Sequence, residues 1–494
     1  MAKRRYVLAI DQGTTGTHVT VLDDRLHVAG HAYQEFTQHF PKPGWVEHDL
    51  DEIWASVETT ISKGLRMAGI KGKDLSGIGI TNQRETTGLW SRNTGKPLAR
   101  AIVWQDRRTA AHCQRLKTEG REPFVREKTG LVLDPYFSAT KLSWLLEHVK
   151  GARAKAERGE LAFGTVDTWL VYKLTAGEAH VTDVSNASRT LLLDLHSLQF
   201  DRALLDLFDI PARVLPEVRG NAEVYGTTRG MRALPDGIPV SGMAGDQQAA
   251  LFGQACFEPG EAKCTYGTGA FLLMNVGPRP VPSSSGLLTT VAWKIGETPV
   301  YALEGSSFIA GAAVQWLRDG LKVIKKSPDV EALARQVEDT GDVVFVPALA
   351  GLGAPHWRPE ARGLFMGMDR STTVAHLARA VLEGVALQIY ELAAAMRKDS
   401  QREIPTFKVD GGAAANDLLM QFQADILGVP VVRPANLQTT GLGAAFLGGL
   451  GAGVWKNTDE LRRTWKAQKT FKPKMTSETR ERHLGKWRRA VERA

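Results

Sequence analysis

Asp246 and Gln247 are the residues of this sequence that most directly suggest chemistry. They lie between a β-like run at 238–242 and a run of small residues at 248–254 that is typical of a helix. Enzymes with alternating strands and helices often carry reactive groups on such turns. An aspartate there could accept the proton of a substrate hydroxyl, and the adjacent amide could bind a second hydroxyl. The same aspartate could instead cap the following helix, so both roles stay open at this point.

A turn rich in glycine and threonine occurs twice in the chain. Residues 6–23 read YVLAIDQGTTGTHVTVLD and residues 260–277 read GEAKCTYGTGAFLLMNVG, each with β-like runs on both sides of the turn. This pattern predicts one hairpin in each half of a duplicated fold, with a boundary between 250 and 260. Turn amides and hydroxyls can bind phosphate, and Asp11 could face a magnesium ion, although a plain hairpin is the alternative.

Other predicted strands also end in polar or flexible residues. The run 75–81 ends in Asn82-Gln83-Arg84-Glu85, where fork donors and a carboxylate would suit a binding loop as well as a solvated one. Residues 407–416 pass from a strand through a Gly-Gly turn to a helix, offering N–H groups to a nucleotide. Residues 430–453 predict a helix packed between the two halves. Further predictions are a strand at 101–104 and helices at 49–67, 140–148, 311–321 and 372–398.

The composition is that of an ordinary globular protein with a basic end. The formal net charge of +8 belongs to residues 461–494, which carry twelve Lys or Arg against three Asp or Glu, so the rest of the chain is nearly neutral. We therefore expect a solvated basic C-terminal helix or extension, with a weak site for an anionic partner as the alternative, and no nucleic-acid partner. No apolar run approaches the length of about 20 residues that spans a bilayer, so we expect no membrane insertion. The three cysteines, Cys113, Cys256 and Cys264, form no CxxC pair, which favours a reducing cytoplasm over a disulfide framework or zinc site.

Several common enzyme classes lack their signatures here, including the Walker A loop, the protein-kinase motifs, the H-E-x-x-H zinc motif and the G-x-S-x-G elbow. A different set of motifs is present in order between about 6 and 455. It resembles the FGGY carbohydrate-kinase family of actin-like, ribonuclease-H-like ATPases, and within it the branch that phosphorylates glycerol. The motifs are AIDQGTTGT, PGWVEHD, TNQRETT, IVWQDRR, GMAGDQQAALFG, TYGTGAFLLMN, ALEGSSFIAGAAVQWLRDG, GLGAPHW, VDGGAAANDLLMQFQADIL and TTGLGAAFL.

The resemblance implies an α/β fold of two ribonuclease-H-like domains with a nucleotide and substrate cleft between them. The implied division is an N-terminal domain at 1–254 that binds glycerol, a C-terminal domain at 255–460 that binds ATP, and a basic extension at 461–494. The implied reaction is ATP- and Mg²⁺-dependent phosphorylation of glycerol to sn-glycerol 3-phosphate with release of ADP, in glycerol catabolism. A cytoplasmic homo-oligomer, dimer or tetramer, is the family-level expectation.

The resemblance also implies residue roles. Asp246 resembles the general base and Asp11 the magnesium-associated acid. His18 stands where the glycerol branch commonly has an arginine, which bears on phosphate affinity. The residues that resemble glycerol contacts are Arg84, Glu85, Trp104, Tyr136, Asp246, Gln247 and Phe271. Those that resemble nucleotide contacts are Gly13, Thr14, Thr15, Thr268, Gly311, Gln315, Gly412 and Asn416.

Two other functions remain open from the sequence. One is a kinase of the same family that acts on another polyol or a ketose, against which Arg84, Glu85 and Trp104 argue. The other is an actin-like or chaperone-like ATPase that phosphorylates no small molecule. An appended client domain or filament loops would favour that second alternative, and the sequence shows neither.

Overall fold

A computed structural model describes residues 4–358 and 360–494. The elements up to residue 253 begin with a β-hairpin and end with the helix that starts at Asp246. Their strands are β1 (Tyr6–Gln12), β2 (Gly16–Asp23), β3 (Val28–Glu35), β4 (Glu47–His48), β5 (Leu75–Asn82), β6 (Gly88–Ser91), β7 (Ala101–Ile102), β8 (Leu161–Gly164), β9 (Val181–Asp183), β10 (Leu193–Asp194), β11 (Gln199–Phe200), β12 (Glu217–Arg219), β13 (Gly226–Thr227) and β14 (Pro239–Gly245). Their helices are α1 (Leu50–Ala68), α2 (Ala110–Thr118), α3 (Glu122–Thr129), α4 (Ser138–His148), α5 (Ala152–Glu157), α6 (Val166–Leu174), α7 (Val184–Ala187), α8 (Arg202–Leu207) and α9 (Asp246–Gly253).

The elements after residue 253 begin again with a hairpin. Their strands are β15 (Ala262–Tyr266), β16 (Ala270–Gly277), β17 (Leu288–Ile295), β18 (Thr298–Ser307), β19 (Val344–Val346), β20 (Leu364–Met366), β21 (Phe407–Asp410), β22 (Val431–Pro434) and β23 (Ala467–Phe471). Their helices are α10 (Gly311–Asp319), α11 (Asp329–Ala334), α12 (Val374–Ser400), α13 (Asp417–Leu427), α14 (Thr439–Gly451), α15 (Thr458–Thr464) and α16 (Ser477–Arg493). Short 3₁₀ turns lie at Gly72–Asp74, Ala212–Val214 and Gly412–Ala415.

The two main sheets repeat one layout. The first has the strand order β13-β14-β5-β1-β2-β3 and the second the order β17-β18-β16-β15-β21-β22-β23. In each, a hairpin strand pairs antiparallel with its partner and parallel with a later strand: β1 with β2 and β5, and β15 with β16 and β21. Each sheet ends in an antiparallel edge strand, β13 or β23. The prediction of one hairpin per half is therefore confirmed, and with it the fold class.

Local signals explain why α1 forms where the spacing predicts it. The Asp49 carboxylate accepts hydrogen bonds from the backbone N–H groups of Asp51 and Glu52 at 2.8 and 3.2 Å, which caps the helix start. Gly69 ends the helix with φ of 66°, a conformation that glycine adopts without strain. The buried residues of α1 repeat at helical spacing and pack on the first sheet.

Helices α9 and α14 pack together between the two sheets. Helix α14 also contacts β1, β5 and β14, and an added Cβ at Gly79 of β5 would overlap the Ala444 carbonyl. Glycine is required there because the helix backbone lies directly on the strand. The predicted helix between the halves is thus present from Thr439, but the prediction was wrong at 431–434, which is strand β22. Strand β7 is also shorter than the run predicted at 101–104.

The basic segment 461–494 contributes strand β23 to the second sheet and forms helix α16, which packs on α12 and on the two-stranded sheet of β19 and β20. Strand β23 pairs with β22, and Leu484, Trp487 and Val491 of α16 are buried in the second core. These apolar residues recur every three or four positions, so they form one helix face while the lysines and arginines occupy the others. A count of the charged residues in this segment therefore does not reveal that one helix face is apolar. Among the described residues, no helix combines the length and apolar character needed to cross a membrane.

Candidate active site

Asp246 is the first residue of α9, directly after β14 ends at Gly245. Gly245 occupies the capping position, so the Asp246 side chain is not the cap that the sequence left open. Its Oδ1 accepts the Gln247 backbone N–H at 2.7 Å and lies 3.1 Å from Arg84 Nε. The side chain keeps 32% of its exposure. An acid at a helix start, beside an arginine and open on one side, is placed to act on a bound molecule.

The Arg84 guanidinium lies at the centre of a buried polar cluster that follows β5. Each of its nitrogens is used: Nε faces Asp246, Nη1 donates to Glu304 and Gln248, and Nη2 donates to Glu304 and the Tyr136 hydroxyl. Nε lies 3.1 Å from Asp246 Oδ1. Nη1 lies 2.5 Å from Glu304 Oε2 and 3.2 Å from Gln248 Oε1. Nη2 lies 3.1 Å from Glu304 Oε1 and 3.4 Å from Tyr136 Oη. The contact to Tyr136 is the longest of the five, so it is the one that a bound hydroxyl would displace at least cost.

Glu304 and Arg189 complete this cluster, and sequence reasoning assigned neither of them a role. Arg189 donates to Glu85 Oε1 at 2.7 Å and to Glu304 Oε1 at 2.9 Å. The two arginines, Arg84 and Arg189, and the two glutamates, Glu85 and Glu304, are all buried. Although burial opposes it, the charges of Arg189 and Arg84 lower the pKa of Glu304 to about 2. For Glu85, burial outweighs both arginines and raises its pKa. The sequence did carry one signal for this cluster: Glu304 follows the apolar run Tyr301-Ala-Leu. A charged residue in a buried strand requires a partner of opposite charge.

The predicted aromatic residues lie around this cluster and are half-buried. The Trp104 indole N–H donates to Thr14 Oγ1 at 3.0 Å, and its ring meets Tyr136 edge-on with centroids 5.7 Å apart. Through these two contacts, Trp104 connects the first hairpin turn to the buried polar cluster. Phe271 lies on β16 opposite Ser306, two positions from Glu304 along β18, and packs against the apolar cluster between the sheets.

The first hairpin adds an acid and an open cavity to the site. Asp11, Gly13, Thr15, Gly16, His18 and Tyr33 line a cavity of about 410 Å³. Burial, and then the charge of Asp246, raise the pKa of Asp11 to about 7. Burial and the neighbouring His31 lower the pKa of His18.

The acids of the cleft fit a magnesium ion that arrives with a phosphate ligand. A divalent cation would offset the burial of the Asp11 carboxylate and its repulsion by Asp246, which together raise the pKa of Asp11. In residues 4–358 and 360–494, no group of three or more metal-binding side chains forms a cation site by itself. Further oxygen ligands would therefore come from phosphate and water, as Mg²⁺ commonly prefers.

The second hairpin turn meets two other glycine-bearing turns of the second sheet. The Gly311 and Ala310 N–H groups donate to the Gly267 and Thr268 carbonyls, both at 2.9 Å. Gly411 has φ of 84°, and an added Cβ would lie 2.5 Å from the Tyr266 carbonyl, so the 411–412 turn sits against the end of β15. The structure thus brings Thr268, Gly311 and Gly412 together.

The residues predicted to contact a nucleotide differ in what the chain itself requires of them. An added Cβ at Gly311 would lie 2.6 Å from the Gly267 carbonyl, whereas one at Gly412 would meet nothing within 4 Å. Gln315 is exposed, one turn further along α10. Asn416 Oδ1 accepts the Leu419 N–H at 2.9 Å and caps α13. Packing and capping thus explain Gly311 and Asn416, while the open space at Gly412 is free for a ligand.

Comparison with known proteins places this architecture in a family. Residues 6–253 match the N-terminal domain of the FGGY family of carbohydrate kinases, and residues 262–452 match its C-terminal domain. The chain belongs to the FGGY family of carbohydrate kinases. Curated FGGY relatives include the glycerol kinase of Myxococcus xanthus, 74% identical with all of both chains covered, and that of Deinococcus radiodurans, 56% identical over 100% of this chain and 98% of the relative. Among solved FGGY structures, Plasmodium falciparum glycerol kinase with ADP matches with a TM-score of 0.93 and 38% identity, covering 99% of this chain and 98% of that one.

Proposed function

We propose that this FGGY kinase transfers the γ-phosphoryl group of ATP to glycerol, giving sn-glycerol 3-phosphate and ADP. The observation that carries the proposal is the open carboxylate of Asp246, 3.1 Å from Arg84 and at the mouth of a buried, charge-balanced cluster. The identity of 74% to a glycerol kinase over the whole chain supports the choice of acceptor. Phosphoryl transfer depends mainly on positioning and charge stabilisation, which such a cluster can supply.

The acceptor would bind where the cluster opens. In this proposal Asp246 accepts the proton of the attacked hydroxyl, as a general base worth a factor of about 10²–10⁴ in rate. Glu85 gives one oxygen to Arg189 and accepts a second hydroxyl with the other, while Arg84 donates in place of its long contact to Tyr136. Trp104, Tyr136 and Phe271 surround the carbon chain.

The nucleotide would bind across the two hairpin turns. Gly13, Thr14 and Thr15 on the first turn and Thr268 on the second present N–H and hydroxyl donors to phosphate, and the open turn at Gly412 accepts the rest of the nucleotide, near Gly311, Gln315 and Asn416. Mg²⁺, held by Asp11 and phosphate oxygens, would neutralise charge on the transferred group. The magnesium requirement, the cytoplasmic location, the homo-oligomer and the division at 254 and 460 stay predictions.

Water must be kept from the transferred phosphoryl group, since it competes with glycerol as acceptor. Glu304 on β18 of the second half pairs with Arg84 and Arg189 of the first half, so the acceptor pocket is complete only when the two halves are in contact. We propose that this contact couples closure of the cleft to correct placement of Arg84.

The test is coupled release of ADP by the purified protein with Mg²⁺ and ATP, adding glycerol, xylulose, gluconate, erythritol or no acceptor in turn. Release that depends on glycerol and exceeds every other condition supports the proposal. Stimulation by another acceptor would reassign the substrate within the family. Turnover that no acceptor changes would point to an ATPase that phosphorylates no small molecule.

A further inference from the structure

Two buried lysines on neighbouring strands of the second sheet reach across to helix α9. Lys263 of β15 and Lys408 of β21 are direct partners in the parallel pairing, and both are buried. Lys408 Nζ donates to the carbonyls of Gln254 and Ala255 at 2.9 and 3.1 Å. A cation at the end of a helix is favourable because the last carbonyls are unpaired and the helix dipole is negative there. Lys408 therefore has a sufficient structural role.

Lys263 contacts the other end of the same helix, where helix electrostatics do not favour a cation. Its Nζ donates to Gln247 Oε1 at 2.6 Å and to Thr265 Oγ1 at 2.9 Å. Lys263 has no exposed surface, and burial lowers its pKa although Asp410 and Asp246 oppose the shift. A buried ammonium bonded to two neutral oxygens costs more than an apolar side chain of the same size. The nearby charges of Asp410, Asp246 and Glu304 offset part of this cost, but they do not account for the direct bond to Gln247.

The contact fixes what the Gln247 amide can offer to a ligand. A glutamine side chain accepts through Oε1 and donates through Nε2. With Oε1 held by a cationic donor, Nε2 is the group left to face the cleft beside Asp246. We infer that Lys263 is a positioning residue that orients the Gln247 carboxamide as a hydrogen-bond donor toward a hydroxyl oxygen of the acceptor. This inference rests on the proposed function and adds to it the polarity of one acceptor subsite.

The position of Lys263 in the chain gives the contact a second consequence. Lys263 and Thr265 lie on the strand that leads into the Gly267–Gly269 turn, which carries Thr268. Gln247 follows the proposed base on α9 of the first half. One hydrogen bond therefore links the strand behind the phosphate-facing turn to the acceptor site, so that displacement of β15 would release the Gln247 amide. Preorganised donors of this kind raise rate and affinity because they need no reordering when the substrate binds.

The first experiment replaces Lys263 by methionine, which removes the charge and keeps the length of the side chain. Loss of a charge-assisted bond that orients one donor should lower kcat/KM for glycerol about tenfold at saturating ATP. KM for ATP should change less than about twofold, since the phosphate-facing turn keeps its own backbone bonds. The matched control is Lys408→Met, which should lower thermal stability and leave kcat/KM for glycerol within about twofold of wild type.

A double-mutant cycle separates positioning from a general packing effect. Gln247→Ala removes the group that Lys263 orients, so adding Lys263→Met to it should cause little further loss in kcat/KM for glycerol. Full additivity of the two losses would overturn the inference. Gln247→Glu keeps an acceptor for Lys263 but offers no N–H, and it should therefore be as impaired toward glycerol as Gln247→Ala. Near-normal glycerol kinetics in Gln247→Glu would contradict the donor role.

The test of Lys263 can be interpreted even if glycerol is not the acceptor. If the wild type uses another polyol, the same cycle is run with that polyol. If no acceptor is used, the crystal structure of Lys263→Met decides: Gln247 leaving its wild-type side-chain conformation supports the positioning role, and an unchanged conformation overturns it. A rise in KM for ATP with unchanged glycerol kinetics would also overturn it, because Lys263 would then act on the nucleotide.

Discussion

Each half of the molecule carries an acid at the end of a strand in its main sheet, and the two acids are used in opposite ways. In the first half Asp246 follows β14, remains a third exposed at 32% and makes its side-chain contacts with Arg84 and its own helix start. In the second half Asp410 ends β21, is buried, and accepts hydrogen bonds from Gln254 at 2.8 Å and Thr439 at 2.7 Å. One carboxylate is open to a ligand and the other fastens α9 and α14 to the sheet. The difference shows that the shared fold leaves chemistry to the residues at strand ends.

The ends of the matching strands β5 and β21 extend the contrast. The strand end at β5 carries Arg84 and Glu85, which form a buried ion network. The strand end at β21 carries Gly411, which lies against the Tyr266 backbone, and Gly412, beside which there is open space. Charged side chains suit a small polar acceptor, and exposed backbone suits a nucleotide that must approach closely. The hairpin turns have the same layout in both halves. We therefore expect a division of labour at the strand ends, with the acceptor bound at the end of β5 and the nucleotide at the end of β21.

The largest effect should come from exchanging the open acid. Asp246→Asn should keep the fold and lower kcat by about 10²–10⁴, because the amide cannot accept the hydroxyl proton. Asp410→Asn is the matched variant and should lower thermal stability while keeping turnover at 25 °C. Steady-state rates and thermal melts of both proteins check this. A near-normal rate in Asp246→Asn would place the base elsewhere and remove the contrast between the two acids.

A smaller but still large effect is expected where the second sheet reaches the first. Glu304→Gln leaves Arg84 and Arg189 with one negative charge fewer in a buried site, and breaking such a pair costs about 3–5 kcal/mol. We expect a lower denaturation midpoint together with a loss of kcat/KM for glycerol. The control is Asp319→Asn in the exposed pair with Arg318, which should leave the denaturation midpoint close to that of the wild type because exposed ion pairs contribute little. Equal effects of the two variants would show that the buried Glu304 pairs contribute no more to stability and glycerol kinetics than an exposed ion pair does.

The smallest effect should come from one residue pair that differs between the two hairpins. His18 lies opposite Asp11 in the first hairpin, and Phe271 lies opposite Thr265 in the second. Since burial lowers the pKa of His18, His18→Arg should add a permanent charge at the phosphate-facing cavity and lower KM for ATP by about two- to fivefold at pH 8. His31→Arg on the neighbouring strand is the control. An unchanged KM for ATP in His18→Arg would mean that the phosphates do not approach this cavity.

Sequence reasoning found the features that depend on neighbours along the chain. The two hairpins, helix α1 and the turn before Asp246 all follow from periodicity and turn residues within about twenty positions. It missed Arg189 and Glu304, whose partners lie 104 and 220 residues away, because pairing across the fold leaves no local pattern. It also missed Lys263, which is only 16 residues from Gln247 but pairs with it across the boundary between the two halves. The C-terminal helix named among the options for the basic segment is present as α16, but the charge count gave no sign that Leu484, Trp487 and Val491 bury one of its faces. The roles assigned to the site residues stay predictions.

The most direct test of the division of labour is one set of kinetic constants for two variants. Glu85→Gln alters the charged strand end and Gly412→Ala the open one, where an added Cβ meets nothing within 4 Å of the chain itself. Gly485→Ala, at a site on α16 that is equally open, is the control for the second. The account predicts that Glu85→Gln raises KM for glycerol with little change in KM for ATP, and that Gly412→Ala does the reverse. A raised KM for ATP in Glu85→Gln, or for glycerol in Gly412→Ala, would contradict it.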